Sequence, residues 1–202
     1  LAQAALLPEV TGQLSRGELQ LERALYKCSN RDPEAGNALT EFLGNHPKHP
    51  RRAEAYLASA STSVLSGPLN VESARENLRK ALALKLSHQG LERADYISFW
   101  IEELAGASEK AISYAERFIS KWPKSSYAPG IRMRQAEIQF RSNDYLDAMR
   151  NFEKLSTEYP DSELSDKAID LELLEECLHI VAILQFLFPL ASFFESLRNE
   201  MV

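Results

Sequence analysis

Ser142-Asn143-Asp144-Tyr145-Leu146-Asp147-Ala148-Met149-Arg150-Asn151-Phe152-Glu153-Lys154-Leu155-Ser156-Thr157-Glu158-Tyr159-Pro160 is the stretch that decides the fold. Ser142-Asn143-Asp144 reads as a turn. Behind it, Ala148, Phe152 and Leu155 fall at helical intervals on one face. Pro160 then halts the helix, because it has no amide donor and disfavours helical geometry in the residue before it. Ahead of the turn, Ile131 to Arg141 reads as a second helix with Ala136 facing Ala148. Small residues at facing positions let two antiparallel helices approach closely through a short connection.

The same shape recurs along the chain, and repeats decide a fold before any local reading does. Ala35, Ala74, Ala111 and Ala148 lie 39, 37 and 37 residues apart. A proline follows by 12 positions in three of the four units, at Pro47, Pro123 and Pro160; from Ala74 the same offset gives Leu86, so that unit is degenerate. Ala111, Ala115, Phe118 and Ile119 repeat the one-sided apolar pattern. Each alanine is preceded by a second helical stretch. These are Glu18 to Cys28 before Ser29-Asn30-Arg31-Asp32, Arg52 to Leu65 before Ser66-Gly67-Pro68-Leu69-Asn70, and Leu91 to Leu104 before Ala105-Gly106-Ala107. The turn after Leu65 absorbs two extra residues. An irregular helical bundle would not produce three proline offsets of equal length, so the pattern predicts helix pairs stacked in sequence.

Composition agrees. The 202 residues include 29 Leu and 24 Ala against 9 Ile, 5 Val and 4 Thr, a balance that favours helix over sheet. A chain this long buries a sizeable core without disulfide or metal staples. Its net charge of -6 argues against a sequence-independent grip on nucleic acid.

In turn, second-helix alanine, aromatic and terminal proline, residues 142–162 resemble the tetratricopeptide repeat, with Ala136 at the small position of the first helix. The resemblance covers about four units over residues 17–175, the rest of a single domain 1–202 being an apolar terminal segment, 176–202. It implies an all-α fold, a right-handed α-α superhelix of helix-turn-helix repeats. The period near 37, with the endings Lys121-Trp122-Pro123-Lys124-Ser125 and Glu158-Tyr159-Pro160-Asp161-Ser162, is similar to bacterial envelope repeat proteins. That subgroup includes the outer-membrane assembly lipoprotein and the periplasmic coordinator of Tol-Pal.

The resemblance further implies a non-catalytic scaffold whose concave side, lined by the first helix of each pair, holds a protein or peptide partner. Carried over position by position, the groove residues are Glu54, Leu57, Ser61 and Val64, then Arg93, Tyr96, Trp100 and Glu103, then Met133, Glu137 and Phe140. Leu57, Tyr96, Trp100, Met133 and Phe140 would form an apolar and aromatic stripe with charges at its margin, as interfaces do. Co-chaperone members clamp a carboxylate with Lys, Asn and Arg. The equivalent places here hold Glu54, Ala58, Ser61, Arg93, Ile97, Trp100, Arg134 and Glu137, without an Asn, which argues against a clamp. The envelope resemblance implies a periplasmic or cell-envelope location in a bacterium. A cytoplasmic adaptor and a structural segment of a larger repeat protein are the alternatives.

Nothing in the pattern asks for a cofactor. His46 and His49 could approach one metal, but they sit in a proline-broken turn without a third ligand, so no metal is expected. Cys28 and Cys177 lie several helix pairs apart, too far to bridge, and two free thiols suit a reducing compartment. No phosphate loop, nucleophile elbow or zinc-protease helix occurs. The acidic pairs Glu102-Glu103 and Glu175-Glu176 read as solvated faces, and an enzyme is not expected. Leu1-Ala2-Gln3-Ala4 carries the small-x-small pattern of a secretory cleavage site, and Leu1 reads as the start of a processed or partial chain. The stretch from Leu178 to Phe194 is too short, and too interrupted by Pro189, to cross a bilayer. It reads instead as a buried terminal helix or a surface for self-association.

Overall fold

The computed structural model describes residues 15–168 and Ile183. In these the chain is all helical. The helices are α1 (Arg16–Ser29), α2 (Ala35–Asn45), α3 (Arg52–Leu65), α4 (Val71–Leu82), α5 (His88–Leu104), α6 (Ser108–Lys121), α7 (Ala128–Arg141), α8 (Tyr145–Glu158) and α9 (Glu163–Ala168), with a short 3-10 turn at Pro68–Asn70 before α4. The leader pattern at 1–4, Cys177, Glu175-Glu176 and the apolar tail 178–194 lie outside the described residues, apart from Ile183, which is helical and exposed.

The repeat is written into the backbone hydrogen bonds. Each turn within a helix pair holds one residue in the left-handed region: Arg31 at φ 53°, Gly67 at 92°, Gly106 at 72° and Asn143 at 63°. Among the described residues there are no others. In three of these turns the exit from the first helix is the same, the Schellman closure that satisfies orphan carbonyls at a helix end. Asp32 N–H donates to the Lys27 carbonyl, Ala107 to Glu102 and Asp144 to Gln139, each across five residues. Only the turn at Gly67 departs, because its two extra residues wind into the 3-10 segment.

The connections between pairs repeat as well. His46, Trp122 and Tyr159 donate to the carbonyls of Phe42, Phe118 and Leu155, and then accept from His49, Ser125 and Ser162. These in turn accept from Arg52, Ala128 and Ser165. Pro47, Pro123 and Pro160 each follow the first residue of that chain, where a missing amide costs nothing in a helix already ending. After α4, where Leu86 stands in place of proline, the register is lost. The unit that is degenerate in sequence is also the one with irregular turns.

Every second helix buries one stripe at i, i+4 and i+7: Ala35, Leu39, Phe42; Ala74, Leu78, Ala81; Ala111, Ala115, Phe118; Ala148, Phe152, Leu155. The four spaced alanines are fully or almost fully buried. They are the contact points at which the first helices approach, as Ala136 meets Ala148, Phe152 and Leu155 in one cluster.

The chain divides between Ala107 and Ser108 into two compact units. In the first, consecutive helices α1 to α5 pack on one another, and α3 also touches α1 and α5. In the second, α6 packs on α7, α7 on α8, and α9 on both α7 and α8. A helix that contacts its neighbour and its neighbour's neighbour is the packing that helix-pair repeats require. Burying these contacts is the main source of stability, since helices of 11 to 17 residues are marginal alone.

Candidate functional site

In the first unit the expected binding residues gather along α3 and α5. A cleft of about 320 Å³ lies between these helices, lined by Glu54 and Leu57 of α3, Arg93 of α5, and Lys85, Leu86 and Ser87 of the connection before α5. The start of α5 is set by Ser87, whose hydroxyl accepts from the Gly90 amide at 3.0 Å, three residues earlier than the apolar spacing indicates. Gly90 sits close here: a Cβ would come to 3.3 Å from the side chains of Leu86 and Ser87.

Arg93, Tyr96 and Trp100 follow one another at helical intervals from the cleft along α5. The Tyr96 and Trp100 rings meet edge-on at 6.1 Å between centroids, and Phe99 meets Trp100 at 5.2 Å. Trp100 is half-buried. Its Nε1 is enclosed without a hydrogen-bond partner, so the part of the ring that reaches the surface is carbon. Arg93 and Lys85 make no ion pair among the described residues, whereas Glu54 is held by Arg51 at 2.7 Å.

Arg51 also binds Glu18 and Glu22. Partial burial pulls its pKa down, but the three carboxylate hydrogen bonds outweigh that and raise it, so the guanidinium is permanently charged. The arrangement can offer cations from Lys85 and Arg93, an apolar floor and an aromatic edge. It has no nucleophile paired with a base.

Leu57 requires a correction. It is 3% exposed and packs with Val71, Leu78, Ala94 and Ile97, so it floors the cleft as part of the core and presents almost no surface. The cause is that α3 is buried on two sides. Ala55 and Ala58 face the α1–α2 cluster while Leu57 and Ala60 face α4 and α5. Val64 packs on the same core, and Ser61 and Glu103 are half-buried. Glu102 also departs from the reading as a solvated acid. It is 5% exposed and accepts a hydrogen bond from Arg75 of α4.

In the second unit Met133, Glu137 and Phe140 lie at i, i+4 and i+7 on α7. Met133 and Phe140 pack on the Ala136–Phe152 cluster, and Phe140 meets Tyr145 edge-on at 5.4 Å. Glu137 pairs with Arg134 at 2.6 Å. The residues of the expected stripe thus fall in both units.

Sequence reasoning missed three sets of residues. Lys85 escaped because it lies where the repeat register fails. His46 and His49 read as idle, but they brace the start of α1. His46 Nε2 lies 2.9 Å from Gln20 Oε1, and His49 Nδ1 accepts the Arg51 amide while its Nε2 faces Glu18 at 3.3 Å. A Cβ on Gly17 would come to about 3.1 Å from the His49 ring and 3.2 Å from His46, so the two rings pack closely on the α1 backbone there. Both imidazoles are committed to protein partners, and among the described residues no group of three potential ligands could hold a metal. The third set is a buried polar network in α7 and α8. Arg132 donates to Asn151 and Glu158, and Asn151 donates to Gln139.

Among the described residues no helix is long and apolar enough to cross a membrane. Residues 132–162, spanning α7, α8 and the connection to α9, match the tetratricopeptide repeat family. No curated protein matches the chain. The matched repeat is as a rule a non-catalytic module for protein-protein interaction.

Proposed function

We propose that the chain is a non-catalytic scaffold that captures a segment of a partner protein on α5 and in the adjoining α3–α5 cleft, within a bacterial envelope complex. The observation that carries the reading is the run Arg93, Tyr96, Trp100. A cation at a cleft, without an ion pair among the described residues, is followed along one helix face by two rings in mutual edge contact. Aromatic and Arg anchors of this kind dominate binding energy at protein interfaces. Met133 and Phe140 offer a smaller apolar patch in the second unit. The periplasmic or envelope setting rests on the likeness of the period and of the Trp122-Pro123 and Tyr159-Pro160 endings to envelope repeat proteins.

The test is capture of the partner from the source cell by the full chain and by the Tyr96→Ala/Trp100→Ala double variant, identified by mass spectrometry. Truncating two such anchors costs about 2 kcal/mol or more, roughly thirtyfold in affinity. Arg93→Glu, at a half-exposed position outside the core, keeps the test sound should the double variant lose structure. Unchanged capture by Arg93→Glu and by a folded double variant would sink the site. Cell fractionation checks the compartment, and recovery with cytoplasmic markers would reject it.

A further inference from the structure

A second and larger groove lies at the other end of the first unit. It occupies about 760 Å³ between α1 and α2, away from the α3–α5 cleft. Its α1 wall carries Arg16, Leu19, Gln20, Arg23, Ala24 and Lys27, the i, i+3, i+4, i+7, i+8, i+11 stripe of one helix face. At 1.5 Å per residue that wall is about 16 Å long, three turns of helix. The α2 wall carries Ala38, Glu41 and Asn45 at matching intervals. Two parallel stripes with an apolar floor form a trough suited to a helix laid along it.

The charges say which helix. Arg16 and Arg23 are exposed and make no ion pair among the described residues. Lys27, in contrast, is held by Glu34 and Asp32, and its hydrogen bond to Glu34 is the main cause of its raised pKa. Glu41 opposes the two arginines, bonded at long range by Asn45 at 3.5 Å. His46 is tied to Gln20. Among the described residues the trough therefore carries two cations without an ion pair, two turns apart, against the single acid Glu41 of its lining, in a chain of net charge -6.

We infer that the α1–α2 groove docks an acidic amphipathic helix of a partner protein, with carboxylates seven residues apart on Arg16 and Arg23. Apolar side chains between those carboxylates rest on Leu19 and Ala38, which are half-buried, over the buried Ala24. A second copy of this chain docking by the same face would bring one trough of net positive charge against another, a repulsion that an acidic helix does not meet.

The probe is a labelled synthetic helical peptide of 15 residues with Glu at two positions seven apart and Leu three and four residues after the first. Its counterpart carries Lys in place of Glu. The full chain is expected to bind the acidic peptide at low ionic strength, at least tenfold more tightly than the basic one, and to weaken as salt screens the pairs. Arg16→Glu/Arg23→Glu should abolish binding, Arg16→Lys/Arg23→Lys should retain it, and Trp100→Ala should leave it unchanged, which separates this groove from the α5 site. Equal affinity for the two peptides, no binding at low salt, or full affinity in the charge-reversed variant would overturn the inference. So would self-association of the chain that the charge reversal removes, because a second copy would then be the occupant.

Discussion

Helices α3 and α7 hold the same place in their helix pairs. Each is the first helix of a pair, each is 14 residues long, and each packs on helices both before and after it in sequence. They meet that burial by opposite means. In α3 the buried residues are Ala53, Ala55, Leu57, Ala58 and Ala60, so neighbouring backbones close in on small side chains. In α7 Arg132, Gln135 and Gln139 are buried beside Ala128, Ile131, Ala136 and Ile138. Arg132 is 7% exposed and binds Asn151 at 3.0 Å and Glu158, while Asn151 reaches Gln139 at 2.8 Å. The network is not complete, because Arg132 Nε and Gln135 Oε1 have no partner. A dry alanine interface gains from every contact. A polar one must first offset the desolvation of its own groups, and it gains selectivity of register more than stability.

The largest expected effect lies on the dry side. Leu57→Ala should cost about 2–5 kcal/mol, the range for deleting a buried leucine into a site that relaxes only in part. Hydrogen exchange locates the loss. Protection should fall across 52–104, where Leu57 touches α4 and α5. An unchanged stability with weakened partner capture would instead return Leu57 to the binding surface and erase the contrast drawn between the helices.

On the polar side the expected cost is smaller and its sign depends on how the network is cut. Arg132→Ala leaves the buried Asn151 oxygen without a donor, about 1–3 kcal/mol. Replacing Arg132, Gln139 and Asn151 together by apolar residues of similar size should be neutral or stabilising, since no stranded group remains. Urea unfolding of the single and triple variants measures the difference. If the triple variant is the less stable of the two, the network stabilises α7 in its own right and the two helices differ less than their composition implies.

These two helices also mark how far the sequence could be read. The second-helix stripes, the turns and the proline stops were legible because each rests on residue types with a narrow structural meaning: alanine at a close contact, Gly, Ser, Asn and Asp clustered in a turn, proline where a helix ends. Leu57 was assigned to a surface because an amphipathic pattern assumes one buried face, and α3 has two. Arg132, Gln135 and Gln139 were not read at all, because polar residues at helical spacing look like a solvated face until Asn151 and Glu158 are brought opposite. The α5 run was legible from position within the repeat. The α1–α2 trough was not, since its meaning depends on how the cations are paired, and only the fold decides that Lys27 meets Glu34 while Arg16 and Arg23 make no ion pair among the described residues.

The smallest effects lie at the surface, and pH sets the two units apart there. Glu76 on α4 is held down to about 2 by its hydrogen bonds to Arg79 and Lys80. A carboxylate whose folded value lies below its unfolded one, 4.5, stabilises fully above that value and loses the contribution as pH falls towards 2. Glu76→Gln should therefore differ from the parent at neutral pH and converge with it in acid, by an amount that salt reduces because the site is open to solvent. Tyr159, after α8, is shifted the other way, raised mainly by burial against the opposing pull of Arg132. Its contribution is present below 10 and is lost as pH rises through the higher folded value. Tyr159→Phe should then gain on the parent only in alkali. Thermal unfolding across pH with exchange read in each unit distinguishes the two, the first unit carrying the acid-side loss and the second the alkaline one. A loss shared equally by both units at either edge would mean that they unfold as one cooperative body, and the contrast between α3 and α7 would then be one of local packing within a single transition.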